Sequence, residues 1–380
     1  MLEVQPAMTE SGCVVEPRTA LDAAEAVGTV LEQHLETAMG RARDTDPLFA
    51  RDVAGHVSGF VRRGGKRLRT AFTWCGWRAA GGSGDASEVL RTGAALELLQ
   101  ACALIHDDLM DGSSLRRGEP ATHVAFARLH RAERMTGPPK SFAASAAVLA
   151  GDLALAWADD LLTELALDSP HGRQILLEWR AMRSEMVAGQ YRDIHAQAAG
   201  TSSDVEHALT IATLKSALYT VERPMALGAA LAAADQFTLR ALRSAGRCAG
   251  LAFQLRDDLL GAFGDPALTG KPALDDLRMG KLTYLLAVAL RLAEATEDEE
   301  ATAVLTPSGA HRTEDTVERM RVALERTGAR AAVESRIAEL TATSVCHFAT
   351  ACAEREVRRD FATLVERASG VPLDPTGEGV

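Results

Sequence analysis

Apolar residues recur along most of this chain at the three- and four-residue spacing of a helical face, and no alternating strand pattern with hairpin turns stands out. Long apolar stretches run over residues 86–109 and, around Pro224, over 201–264. Breakers gather at Gly81-Gly82-Ser83-Gly84, Gly137-Pro138-Pro139, Ser169-Pro170 and Gly264-Asp265-Pro266. Each cluster is too short for a domain linker and suits a connection between helices. The pattern predicts an all-α fold, a single large helical bundle over residues 21–369. The flanks, 1–20 and 370–380, are rich in Gly, Pro and acids and are expected to be loose. The segment 131–140 reads as a mobile insertion.

Composition strengthens the helical picture. Ala, Leu, Arg and Glu dominate, and aromatics make up only 4%. The formal charge of -11 argues against a general nucleic-acid surface but leaves room for a phosphorylated small molecule held by a local cationic cluster. The six cysteines are scattered, with no zinc spacing, as expected of reduced thiols. The opening residues lack a basic start followed by an apolar core, so no signal peptide is expected. The apolar run 143–158 is broken by Asp152 and reads as too short for a bilayer, so no transmembrane segment and a cytoplasmic location are expected.

Two segments echo each other. Ala103-Leu-Ile-His-Asp-Asp-Leu-Met resembles Phe253-Gln-Leu-Arg-Asp-Asp-Leu-Leu, as if two similar helices faced one another across the bundle. In the first, Asp107 and Asp111 lie one turn apart on one face, with Asp108 beside them and Gln100 on the same stripe. Two carboxylates so placed repel unless a cation sits between them, and oxygen-only donors suit Mg²⁺. A solvated acidic helix end is the bland alternative, but the segment before it is too apolar for an exposed face. In the second, Gln254, Asp257, Asp258 and Gly261 share a face, so it offers fewer carboxylates.

Cations complete an anion site. Gly64-Gly65-Lys66-Arg67-Leu68-Arg69 opens a predicted helix, where glycines and free amides welcome an anion, with Lys66 and Arg69 on one face. Arg116-Arg117 follows the first Asp motif, and Arg suits forked phosphate recognition. Further along stand Lys215-Ser216, Gly270-Lys271 and, after Asp275-Asp276, Lys281.

In that order, from about Gly64 to Lys281, these residues resemble the trans-isoprenyl diphosphate synthase (polyprenyl synthetase) family, most of all a bacterial geranylgeranyl diphosphate synthase. Any one piece is common; the ordered set is specific. The resemblance implies an isoprenoid-synthase bundle with a central cavity, usually a homodimer, that condenses isopentenyl diphosphate head-to-tail with an allylic diphosphate. It implies three Mg²⁺ ions on Asp107, Asp111 and Asp257, with Asp108 and Asp258 in support. It also implies an allylic diphosphate held by Arg116, Lys215, Ser216, Gln254, Lys271 and Lys281. Gly65, Lys66, Arg69, Gln100 and Arg117 would hold the diphosphate of isopentenyl diphosphate. Two positions depart from the family: Gly261 replaces its last Asp and Ser216 its usual Thr.

Product length in that family depends on the wall below the first Asp motif. Cys102 and Ala103, small where bulky aromatics stop growth early, leave the channel open, and Leu99 and Leu96 form a floor. The expected product is geranylgeranyl diphosphate, with a longer polyprenyl chain as the alternative. A terpene cyclase would show an Asn/Ser/Glu metal motif in place of the second Asp pair. A non-catalytic partner subunit would have lost site residues, and only Gly261 points that way.

Overall fold

A computed structural model describes residues 16–199, 204–264, 274–279, 281–306 and 313–373. Helices α1 (Ala20–Thr45), α2 (Pro47–Phe49), α3 (Gly55–Arg62), α4 (Leu68–Ala79) and α5 (Ser87–Met110) open the chain. A two-stranded ribbon, β1 (Leu115–Arg116) and β2 (Glu119–Pro120), leads to α6 (Thr122–Ala132), α7 (Pro139–Asp168), α8 (Gly172–Ala199) and α9 (Val205–Ala212). After a π-helical segment, Thr213–Glu222, come α10 (Arg223–Leu231) and α11 (Gln236–Phe263). The chain ends in α12 (Asp275–Met279), α13 (Tyr284–Ala295), α14 (Glu299–Leu305), α15 (Glu314–Arg326), α16 (Ala329–Ala351) and α17 (Arg355–Ser369).

The expected all-α fold is the observed one, and its only described strands are the two of that ribbon. The helices start where the sequence supplies caps. Thr19 and Asp22 form a reciprocal capping box on α1, Asp235 accepts from Thr238 N at 2.7 Å on α11, and Thr283 accepts from Leu286 N on α13. Gly370–Leu373 fold back on α17, where Leu373 N donates to Glu366 at 2.8 Å. The segment 131–140, expected to be mobile, is instead the end of α6, a tight turn and the start of α7. His130 O accepts from Met135 N at 3.0 Å and closes that turn.

Helix α5 is apolar on nearly every side, and Leu96, Leu98, Leu99 and Ile105 are fully buried. Such a helix must run through the core. It packs chiefly against α7 and α4, within a hydrophobic cluster that also takes in α1 and α10. A second cluster joins α11 to α13, α15 and α16. The first Asp motif therefore emerges where the central helix leaves the core. Helix α7, 30 residues long, and α5 are long and apolar enough to cross a membrane by length and composition alone. That corrects the expectation of too short a run around 143–158: Asp152 does not break the helix. The most apolar window of α5 is 72% buried inside the bundle.

Candidate active site

The acids of the first motif occupy the last turn of α5. Asp108 is fully buried, and Arg116 of β1 grips it with a fork whose Nε donates at 2.9 Å. The ribbon aims that arginine: Arg117 (φ 54) and Gly118 (φ 79) both take left-handed backbone, as a two-residue hairpin turn requires. Asp107 accepts from Lys215 Nζ at 3.0 Å and from Gln190 Nε2 at 3.3 Å. Lys281 Nζ donates to Asp111 at 2.6 Å. Burial alone would raise the Asp107 carboxyl, but Lys215, Lys281 and Arg116 outweigh it and hold it at about 2.

Lys215 comes from the π-helical segment, with the half-buried Ser216 beside it. Helix α8 runs against that segment so closely that a Cβ at Gly189 would lie 2.3 Å from Lys215 N. Glycine there lets α8 bring Gln190 to Asp107 and the buried Asp193 to Lys215, at 2.5 Å. Neither Gln190 nor Asp193 was expected from the sequence. Their spacing, i and i+3 next to a glycine, was the available signal.

The second motif lies on α11. Gln254 Nε2 donates to Asp258 at 2.8 Å, and burial, followed by the nearby Asp276 carboxylate, pushes Asp258 up to about 8. Asp258 is thus sheltered, whereas Asp257 is half-buried. Where Gly261 lacks a side chain, its missing Cβ would meet Asp276 Oδ2 at 3.1 Å, so a carboxylate from α12 stands over the gap. Asp276 also pairs with Lys281 at 3.5 Å, linking the two motifs through one lysine. Lys271 lies outside the described residues.

A second cationic cluster forms on the other flank of α5. Gln100 and Arg117 line a small cavity with Gly64 and Glu97. Arg117 lies over Gly65, where a Cβ would come within 2.6 Å of its Nη2. Arg69 donates to Thr220 at 3.1 Å and stacks on the Tyr219 ring, 4.0 Å from its centroid. Lys66 is exposed in the loop before α4. Several buried polar atoms here have no partner, among them Arg69 Nε, Gln100 Oε1 and Tyr219 OH. Unmade hydrogen bonds of this kind are costly and suit a site built to receive polar groups.

The residues present fit magnesium. The donors are all carboxylate oxygens, Asp107 and Asp111 one turn apart at the end of α5 and Asp257 on α11, and Asp111 Oδ1 is buried with no hydrogen-bond partner. Among the described residues no three His, Cys, Asp or Glu side chains yet enclose a metal position. Lys215, Lys281 and Arg116 instead neutralise the acids.

Below the motif, Leu99 and Leu96 are fully buried and Ala103 is half-buried. Ala103, Leu99 and Leu96 fall within about 80° of Asp107 around the helix, whereas Cys102 lies about 140° away. Cys102 Sγ sits 3.8 Å from His106 Nδ1, and His106 in turn reaches Val148 O of α7 at 3.2 Å.

An all-helical bundle with two acidic motifs, the first met by Lys215 and Lys281 and joined to Asp276 beside the second through Lys281, suits a site for metal-bound diphosphates. The comparisons specify it. The polyprenyl synthetase family pattern matches residues 52–323. A geranylgeranyl pyrophosphate synthase from Corynebacterium glutamicum, solved with isoprenyl diphosphate and magnesium, superposes with a TM-score of 0.86. It is 38% identical, over 92% of this chain and 99% of that one. A geranylfarnesyl diphosphate synthase of Aeropyrum pernix is 30% identical over 68% of this chain and 80% of its own. A geranylgeranyl diphosphate synthase of Mycobacterium tuberculosis is 36% identical over 60% and 59%. The chain belongs to the polyprenyl synthetase family and is a magnesium-dependent prenyltransferase, a trans-prenyl diphosphate synthase.

Proposed function

We propose that this enzyme condenses isopentenyl diphosphate head-to-tail with an allylic diphosphate to make geranylgeranyl diphosphate. One observation carries the product assignment. The stripe beneath Asp107 opens with the small Ala103 and closes on the fully buried Leu99 and Leu96. Cys102 takes the flank toward α7.

Asp107 and Asp111, with Asp257 across the cavity, would hold the magnesium ions, three by family resemblance. Magnesium neutralises the diphosphate and so makes pyrophosphate a better leaving group. The chain's own cations share that work. Arg116, Lys215 and Lys281 already surround the acids, and Gln254 lies one turn from Asp258. These cations would exchange carboxylate partners for the oxygens of an arriving diphosphate and stay in place as charge develops on the leaving group. Lys271 joins this set by resemblance.

On the opposite flank Lys66, Arg69, Gln100 and Arg117 hold the diphosphate of isopentenyl diphosphate, with Gly65 leaving room for Arg117. Its double bond then attacks the allylic carbon, and proximity supplies much of the acceleration. The proton lost afterwards goes to the departing pyrophosphate. His106 is engaged with Cys102 and Val148 O and is not needed as a base.

The enzyme acts in the cytoplasm as a homodimer. Exposed Val148 and Leu149 on α7, with Phe142 one to two turns before them, supply an apolar face for the second copy.

Purified protein with Mg²⁺, isopentenyl diphosphate and each allylic primer should yield twenty-carbon product. Ala103→Phe should shorten that product to fifteen carbons. An unchanged product distribution would remove the wall assignment, and no condensation with any primer would favour a non-catalytic partner subunit.

A further inference from the structure

An acid stands among the cations that hold the second diphosphate. Glu97 of α5 is 8% exposed and lines the same small cavity as Gly64, Gln100 and Arg117. Its Oε2 accepts from Arg67 Nη1 at 3.3 Å, while Oε1 is buried with no partner. Its charge also favours the protonated state of Arg117 across the cavity, against the burial that works to lower it.

A buried carboxylate beside an anion site repels the ligand, so its presence needs a compensating role. The backbone supplies one. Arg67 (φ 51) takes a left-handed conformation that side-chain-bearing residues seldom adopt unless their surroundings hold them there, while the ribbon turn sets that of Arg117 (φ 54). The two arginines come from different segments, the N-cap of α4 and the ribbon turn; Arg67 pairs with Glu97, and Arg117 lines the same cavity as that acid. Without an anion between them they would repel each other, and the nearby Arg67 is one of the charges that lower Arg117's tendency to stay protonated.

We propose that Glu97 is a positioning residue for isopentenyl diphosphate. It holds Arg67 and Arg117 at their spacing before substrate arrives, so the anion meets a formed site rather than ordering one. Arg67, set apart in sequence from the Lys66–Arg69 face, belongs to the site through this acid. The assignment rests on the second-diphosphate site described under the proposed function.

The test is titration calorimetry of isopentenyl diphosphate without an allylic primer, so that no turnover occurs, alongside steady-state kinetics. Glu97→Gln keeps the shape and removes the charge. It should weaken isopentenyl diphosphate binding about tenfold and raise its KM alike, the scale of one lost charge-assisted contact. The primer's KM, and kcat at saturation, should move less than about twofold. Arg67→Gln should show the same pattern, and its result decides should Glu97→Gln fail to fold. Unchanged or tighter isopentenyl diphosphate binding would overturn the role, as would equal rises in both KM values. Wild-type protein that binds no isopentenyl diphosphate would instead remove the functional assignment itself.

Discussion

Asp107 and Asp258 look alike in sequence, each within an Asp pair followed by leucine, yet their surroundings set them far apart. Asp107 is kept ionised by three cations and stays partly exposed, while Asp258 is sheltered under Gln254 and pushed up to about 8 by burial and Asp276. An ionised oxygen is the better magnesium donor. Asp107→Ala should therefore cost at least about a hundredfold in kcat and flatten the Mg²⁺ response, the scale of losing a main electrostatic stabiliser. Asp258→Ala should cost far less, and equal losses would contradict the asymmetry. Histidines offer a stability readout away from the site. Burial holds His34 and His56 below the ordinary imidazole range, and neither Nε2 has a partner. The unfolded chain takes up protons near pH ~6.5 where these side chains resist, so their contribution to stability is present above that pH and lost below it. Asp258, raised on folding, works in the opposite sense. The useful measurement is thus a difference: between pH 7.5 and 5.5, His56→Gln should lose less melting temperature than wild type.

At the scale of elements, the decisive device is the π-helical segment against α8. Its wider turn carries Lys215 toward Asp107, and Gly189 allows the approach that brings Asp193 alongside. A methyl group there has no room, because the obstruction is backbone. Gly189→Ala should cost about 1–3 kcal/mol of stability, as overpacking does. It should also raise the KM for the allylic diphosphate, measured beside a thermal melt. A stable variant with normal kinetics would show that α8 placement is not critical. The echo between α5 and α11 was legible in the sequence. The link between them was not: Lys281 reaches Asp111 on one side and Asp276 on the other, across a long stretch of chain.

For the whole molecule, the exposed apolar face of α7 sets a further expectation. Leu149 is 59% exposed beside Val148 and Asp152. Leu149→Glu should shift the protein from dimer to monomer in light scattering after size exclusion. A wild type that already runs as a monomer would remove the homodimer assignment.

The helical pattern, the breakers between helices and the ordered acidic and basic motifs were all readable along the chain, because helical periodicity and ligand chemistry are local properties. The sequence by itself therefore determined the fold class, the family and most of the charged groups at the site. It did not determine which acids stay ionised, nor that Asp276 stands over Gly261, nor that Glu97 pairs with Arg67 beside Arg117. Cys102 and Ala103 are neighbours in sequence and helical spacing alone separates their faces, but only packing against α7 gives His106, one turn beyond Cys102, its contact with Val148 O. Only the tertiary structure decided these points, since burial and electrostatic pairing depend on which distant segments are brought together, and no local spacing encodes that.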